Sequence, residues 1–314
     1  MTIGSESVRF TGIRLAALLF VATSVAGQPS TPRHLNKTIE KLEAREVVFG
    51  TFASDKSPSG GAFYGGAPVD FVIYDMEHEP IDFVGFRTFL QFMLDRRQIV
   101  QKGSIQPEVT PLIRLPFYGR ERNHWLIKQA LDIGAFGIVF PHVSNVEEAR
   151  SIVSGARYPH PADAPDAEPE GMRGYAPGIA SRYWGLSMAE YAGRADTWPL
   201  DPNGDILLIM LIENQEGVEN IEAIAREVKG VGVLIPSPVD LAMSYGAVAD
   251  PARQPFVDAA IQKVVDVCRS SGIPCGTLAN KENVVELIRK GYRFLIVPTE
   301  REFEAVRIGR GIAR

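Results

Sequence analysis

Cysteine is almost missing from this chain. Two residues in 314 cannot form the disulfide framework of a small secreted scaffold, and their spacing matches no zinc motif. Cys268 falls in a helical pattern and Cys275 on an apolar run, so both read as buried thiols, with a single disulfide left open. A surplus of positive charge is missing too. The formal net charge is −5, which excludes a polybasic surface for nucleic acid or acidic lipid. After the first thirty residues no apolar run approaches a membrane span. Neither glycine-rich stretch ends in Lys-Ser/Thr or opens a clear helix, so no phosphate cradle is expected.

The N-terminus differs from everything behind it. Arg9 and Arg14 precede "LAALLFVATSVAG", an apolar stretch short for a bilayer and followed by small residues and "QPSTP". This pattern reads as a secretory signal over residues 1–27 and a Pro/Ser linker over 28–35, with residues 36–314 as the working domain. No cysteine follows the apolar run, which argues against a lipoprotein. The leader implies an exported protein, periplasmic or secreted; without a working leader the chain stays cytoplasmic.

Behind the leader the pattern alternates. Apolar, β-branched runs fall at 46–52, 70–75, 109–115, 137–141, 206–213, 231–236, 272–278 and 293–297. Continuously apolar runs suit parallel strands covered on both faces. Between most of them lie amphipathic segments such as "SNVEEARSIVSGA" and "FVDAAIQKVVDVCRSSG", several closed by glycine. Eight strands with intervening helices predict a single (β/α)8 TIM barrel. A doubly wound sheet is the alternative, but "VFGTF" lacks the glycine-rich turn into a helix that such a fold places after its first strand.

Two segments break the rhythm. "SDKSPSGGAFYGGAP" (54–68) reads as a loop in place of the first helix, and "YPHPADAPDAEPEGMRGYAPG" (158–178) as a long excursion that shapes the pocket or an oligomer contact.

In such a barrel the working side chains project from the carboxyl ends of the strands. Asp75 and His78 end the second run, Arg114 the third, and Glu213 the fifth, while Asp240 follows the sixth. Each alone admits a structural reading as an ion-pair partner, a helix cap or a local hydrogen bond. Five polar intrusions at one end of one barrel read as a site. No lysine occurs in any of the eight runs, and Lys281, just beyond the seventh, reads as the start of a helix. An imine-forming mechanism, which needs an inward lysine, is therefore disfavoured.

Several stretches carry a likeness. "DFVIYDMEHEP", "PLIRLP", "IKQALDIGAFGIVFPHVSNVEEAR", "RYP…RGY", "IMLIENQEGVENIEAI" and "GVLIPSPVDL" together resemble, in order over about residues 36–300, the HpcH/HpaI aldolase family. These are the class II pyruvate aldolases typified by 4-hydroxy-2-oxoheptanedioate aldolase, members of aromatic-compound catabolism, with the citrate lyase β chains as more distant kin. The resemblance implies a phosphoenolpyruvate/pyruvate-type barrel and a divalent cation (Mg²⁺, Mn²⁺ or Co²⁺) held by Glu213 and Asp240. It implies a 2-oxo acid completing the coordination and an aldehyde released through a stabilised pyruvate enolate. Arg114 is then expected on the developing oxyanion, His78 as acid/base through a water, and Asp75 as the group that orients the imidazole. Glu77 and Glu79 become neighbours, and His142 an extra ligand or acid, or a lining residue. A homo-oligomer, commonly a hexamer, is also implied.

Departures from the family pattern touch the expected pocket. Leu211 stands where a glutamine is usual, "GPADL" has become "SPVDL" with Ser237 and Val239, and Glu79 replaces a glycine. The backbone around Pro238 to Asp240 is still expected to hold a substrate carboxylate, and Arg173 with Gly174 survives from the "RG" motif as a substrate contact. Two rivals stand beside this reading: an exported 2-oxo-acid-binding barrel whose catalysis has lapsed, motivated by Leu211, Glu79 and the leader, and a coenzyme A thioester lyase of the citrate lyase type, disfavoured because "EHEP" and "PLIRLP" resemble the aldolase branch.

Overall fold

The computed structural model describes residues 1, 2, 4, 33–116, 122–300 and 302–312. Nearly all of the expected leader and the linker up to residue 32 lie outside the described residues. Among the described residues, no helix is long and apolar enough to cross a membrane.

The chain first forms α1 (Lys37–Glu43), capped by the Asn36 side chain, which accepts from the Thr38 and Ile39 amides. Strands and helices then alternate: β1 (Val48–Phe52), α2 (Pro58–Gly65), β2 (Phe71–Asp75), α3 (Phe83–Met93), α4 (Arg96–Lys102) and β3 (Thr110–Arg114). Next come α5 (His124–Ile133), β4 (Gly137–Phe140), α6 (Val146–Ala156), α7 (Gly178–Trp184), α8 (Met188–Ala192) and the short β5 (Thr197–Trp198). The remainder is β6 (Ile206–Ile212), α9 (Gln215–Glu227), β7 (Val233–Pro236), α10 (Pro238–Ser244), α11 (Gln254–Ser271), β8 (Gly276–Leu278), α12 (Val284–Arg289), β9 (Phe294–Ile296) and α13 (Glu304–Ile312).

Every strand pair is parallel. The order runs β6-β4-β3-β2-β1-β9-β8, with β7 on the other side of β6 and β5 an accessory pair beside it. The circle closes where Leu234 of β7 bridges Cys275, just before β8. The Leu234 amide donates to the Pro274 carbonyl there, at 3.0 Å. This is the expected (β/α)8 barrel.

Alternation along the strands sorts the core into two layers. Val48, Phe71, Ile73, Leu112, Val139, Leu207, Ile209, Leu211, Val233, Ile235, Phe294 and Ile296 fill the interior. Phe71 and Phe294 stack there with ring centroids 4.1 Å apart. Ile39 and Leu42 of α1 join the same cluster, so α1 plugs the amino-terminal end of the barrel. The other face of each strand packs against the helices. One parity therefore fills the barrel, and its last member on each strand reaches the carboxyl-terminal rim: Asp75 on β2, Arg114 on β3, and Glu213 just past β6.

Two expectations need correction. Residues 54–68 are not helix-free, because α2 forms there, with Ser57 capping the Gly60 amide and Pro58 at the first position. Its glycines serve close packing: a Cβ on Gly61 would meet the Phe89 carbonyl oxygen at 2.6 Å, and one on Gly65 the Met93 carbonyl oxygen at 2.4 Å. The excursion at 158–178 does not shape the rim. It follows the end of α6, and a helix in this fold runs back toward the amino-terminal face, where Arg157 fastens the excursion to Asp166 and Pro169.

Candidate active site

The loops after β4 and β6 are laced together, and this fixes one half of the rim. The Val143 amide donates to the Leu211 carbonyl at 3.1 Å. Asn214, which caps α9, donates from its side chain to Ser144 Oγ at 2.8 Å. The Asn220 amide group holds the Ser144 carbonyl at 3.0 Å. Between these ties His142 adopts a left-handed backbone, φ +57°, uncommon for a residue with a Cβ. That conformation turns both its amide and its ring toward Glu213. The amide donates to Glu213 Oε2 at 2.7 Å, and Nδ1 lies 3.4 Å from the same oxygen.

The other half rests on register. Asp75 and Arg114 are direct partners across β2 and β3. Arg114 donates from Nε to Asp75 Oδ1 and from Nη2 to Oδ2, both at 2.7 Å, a two-pronged pair that fixes the guanidinium plane. Its Nη1 lies 2.9 Å from Glu77 Oε2, and its carbon sits 4.6 Å from the centre of the Phe52 ring. Burial would raise the Asp75 pKa, but the hydrogen bonds and charge of Arg114 hold it below the usual carboxylate range.

This geometry corrects the expected Asp75–His78 pair. Both Asp75 oxygens serve Arg114, and Oδ1 also receives the Glu77 amide at 3.0 Å. His78 projects outward with 72 % of its side chain exposed, and its Nε2 lies 3.6 Å from Glu77 Oε2. A bidentate guanidinium wins over a neighbouring imidazole for the same carboxylate.

Besides Asp75, the rim gathers the carboxyl groups of Glu77, Glu213 and Asp240. Glu213 is 4 % exposed at its side chain, and its pKa is pushed up to about 8. Burial is the main cause, and the charges of Asp240 and Glu77 and a hydrogen bond with Asp240 add to it, against the His142 amide. The Asp240 carboxylate is steadied by Ser237 Oγ, which donates at 2.6 Å. Burial likewise raises the Glu77 pKa, against the charges of Arg114, His78 and His142. Glu77, His142 and Glu213 each offer a ligand atom, and these atoms lie within 4.8 Å of one another. Several carboxyl groups with an imidazole among them suit a divalent cation.

The remaining candidates divide. Leu211 lies one inward step below Glu213, at the top of the packed interior. Ser237 precedes α10, Pro238 opens it, and Val239 is exposed on its first turn. Arg173 is not at the rim. Its buried guanidinium holds Asp132 at 2.9 Å and Tyr191 Oη at 2.8 Å, and stacks on Tyr158, in the helix layer where α5 ends. A substrate role for it is therefore withdrawn. Glu79 turns to Lys56 at 2.7 Å rather than to Glu213. Lys56 itself, absent from the sequence reading, sits over the outward-facing Tyr74 ring. Lys281 pairs with Glu304 at 3.2 Å. Glu77 is the functional candidate the sequence undervalued; its only signal was its place beside His78.

Comparison with known proteins identifies the family and the fold. A 5-keto-4-deoxy-D-glucarate aldolase from Enterobacter sp. (strain 638) is 32% identical over 247 residues, covering 79% of this chain and 83% of the relative. The crystal structure of a family protein from Burkholderia cenocepacia J2315 superposes with a TM-score of 0.67 at 26% identity, covering 88% of this chain and 96% of that one. An HpcH/HpaI aldolase from Desulfitobacterium hafniense DCB-2 shares the fold, with a TM-score of 0.65 at 24% identity over 87% of this chain and 94% of that one. Residues 49–297 match the HpcH/HpaI aldolase/citrate lyase family, and the chain belongs to that family.

Proposed function

We propose that the protein is a divalent-cation-dependent carbon–carbon lyase that cleaves or forms an aldol bond at C3 of a 2-oxo acid, with an aldehyde as the second product. Supporting this reading is Glu213, a buried carboxylate held by the His142 amide beside Asp240 and Glu77, with ligand atoms of Glu77, His142 and Glu213 all within 4.8 Å of one another. A divalent cation fits such a donor set, with Glu213 and Asp240 as its carboxylate ligands and four positions left for water and a chelating 2-oxo acid. When bound, it supplies Lewis-acid stabilisation of charge on the 2-oxo group.

The chain's own residues account for the rest. Arg114, fixed in its plane by Asp75 and by the Phe52 ring, points a guanidinium at the place where enolate charge develops, and needs no reorganisation to do so. The amides of Val239 and Asp240, in the first turn of α10 and without intrahelical partners, receive the substrate carboxylate. His78, exposed at the mouth, takes the proton of the aldol hydroxyl through a water and returns it in the reverse direction. Leu211 and the interior below it close the floor and keep bulk water from that side.

The test is retro-aldol cleavage of 4-hydroxy-2-oxo acids by protein stripped with EDTA. Activity should vanish and return with Mg²⁺, Mn²⁺ or Co²⁺. Full activity without metal, or in Glu213→Ala, would overturn the assignment. The lapsed-catalysis alternative is tested by deuterium exchange into pyruvate: binding of a 2-oxo acid with no exchange in the metal-loaded protein would favour it.

A further inference from the structure

The cation site proposed above assigns no role to the His142 ring, yet the backbone aims that ring at Glu213. The residue holds a left-handed backbone at φ +57°, a conformation unfavourable for a residue with a Cβ. The lacing of the β4 and β6 loops through Ser144, Asn214 and Asn220 keeps it in place. The result is an imidazole lying between two carboxylates. Nδ1 lies 3.4 Å from Glu213 Oε2, and Nε2 faces Glu77 Oε1 at 4.0 Å.

We propose that His142 is a nitrogen ligand of the cation, bound through Nδ1 beside Glu213, with Glu77 orienting the ring from its Nε2 side. The inference rests on the cation site proposed above. A separation of 3.4 Å between Nδ1 and Oε2 matches two adjacent ligand atoms on a six-coordinate ion, whose bonds of ~2.1 Å set neighbouring donors ~3 Å apart. A carboxylate behind a ligating histidine is the usual means of fixing its tautomer and raising its basicity. Here that carboxylate is itself tied to Arg114, 2.9 Å away, which links the cation site to the guanidinium through one chain of contacts.

Chemically, the consequence is selectivity. Oxygen-only sites suit Mg²⁺, whereas an imidazole shifts preference toward Co²⁺, Zn²⁺ and their neighbours. Metal-stripped full-length protein should be loaded with Mn²⁺ and examined by pulsed EPR, and Co²⁺ and Mg²⁺ affinities measured by calorimetry. The wild type is expected to show coupling from a directly bound ¹⁴N that disappears in His142→Asn and His142→Gln. Asparagine tolerates the left-handed backbone, so the first variant keeps the loop geometry. Co²⁺ affinity should fall about tenfold or more while Mg²⁺ affinity changes less than about threefold. Mn²⁺ bound without nitrogen coupling in the wild type, or coupling that persists in both variants, would overturn the ligand role and leave the lyase reading intact. Wild-type protein that binds no Mn²⁺ would overturn both.

Discussion

Among the described residues, two groups of side chains bring ligand atoms close enough to share an ion, and they sit at opposite ends of the barrel. Glu77, His142 and Glu213 gather at the carboxyl-terminal rim; His160, Asp166 and Asp196 gather at the amino-terminal face. Their surroundings separate them. Arg157, whose side chain is wholly buried, donates from Nε and Nη2 to the two Asp196 oxygens at 2.7 and 2.8 Å, and from Nη2 to Asp166 at 3.2 Å. His160 adds contacts of 3.1 Å to Asp166 and 3.0 Å to Asp196. Burial would raise the Asp166 pKa, but hydrogen bonding and charge from His160 and the charge of Arg157 bring it below 3.8. At the rim burial is the main influence, joined by the charges of Asp240 and Glu77, and Glu213 rises to about 8. Proximity of ligand atoms does not by itself mark a site: a guanidinium already occupies the carboxylates of one group, while burial and neighbouring acids act on the other.

That contrast can be broken by substitution. Glu213→Gln should lower kcat/KM for retro-aldol cleavage about 10³-fold or more, since it removes a holder of the Lewis acid, while the melting temperature holds or rises. At the opposite face Arg157→Ala should do the reverse. Leaving Asp196 buried without its partner costs about 3–5 kcal/mol in urea denaturation, with activity per folded molecule unchanged. Large activity loss from Arg157→Ala in protein shown to be folded would erase the distinction.

His78→Ala sharpens the reading within the rim. Aldol cleavage should slow about 10²-fold or more, while deuterium exchange into pyruvate, which needs no hydroxyl proton transfer, should change far less. Equal loss in both assays would place His78 in substrate binding instead.

How much of this was legible in the sequence follows from the kind of force involved. Eight continuous apolar runs placed the strands, and strand parity carried Asp75, Arg114 and Glu213 to one rim, with Asp240 in the helix that follows β7. Interactions between elements were harder to read. The glycines of 54–68 looked like a loop because composition does not show that Gly61 and Gly65 lie against the carbonyls of α3. Adding a methyl there by Gly61→Ala should destabilise by about 1–3 kcal/mol through overpacking, measurable by thermal melting with activity retained. Arg173 kept a family motif but follows α6, so chain direction puts it at the face opposite the chemistry. Asp75 and His78 are three residues apart, and only the cross-strand register with Arg114 shows which partner the carboxylate takes.

The smallest expected effect concerns acid. Asp166 has a depressed folded pKa, so its contribution is complete above its unfolded value and lost as pH falls through the folded one. Asp166→Asn should therefore reduce stability at pH 6 by about 1 kcal/mol or less, and the difference from wild type should shrink below pH 3. A difference that grows on acidification would contradict the sign.

The most direct measurement is calorimetric titration of Mn²⁺ into metal-stripped wild type, Glu213→Gln and Asp196→Asn. The proposed cation site at the rim predicts one saturable site in wild type and Asp196→Asn and none in Glu213→Gln. Equal binding by wild type and Glu213→Gln, or a site lost only in Asp196→Asn, would contradict it.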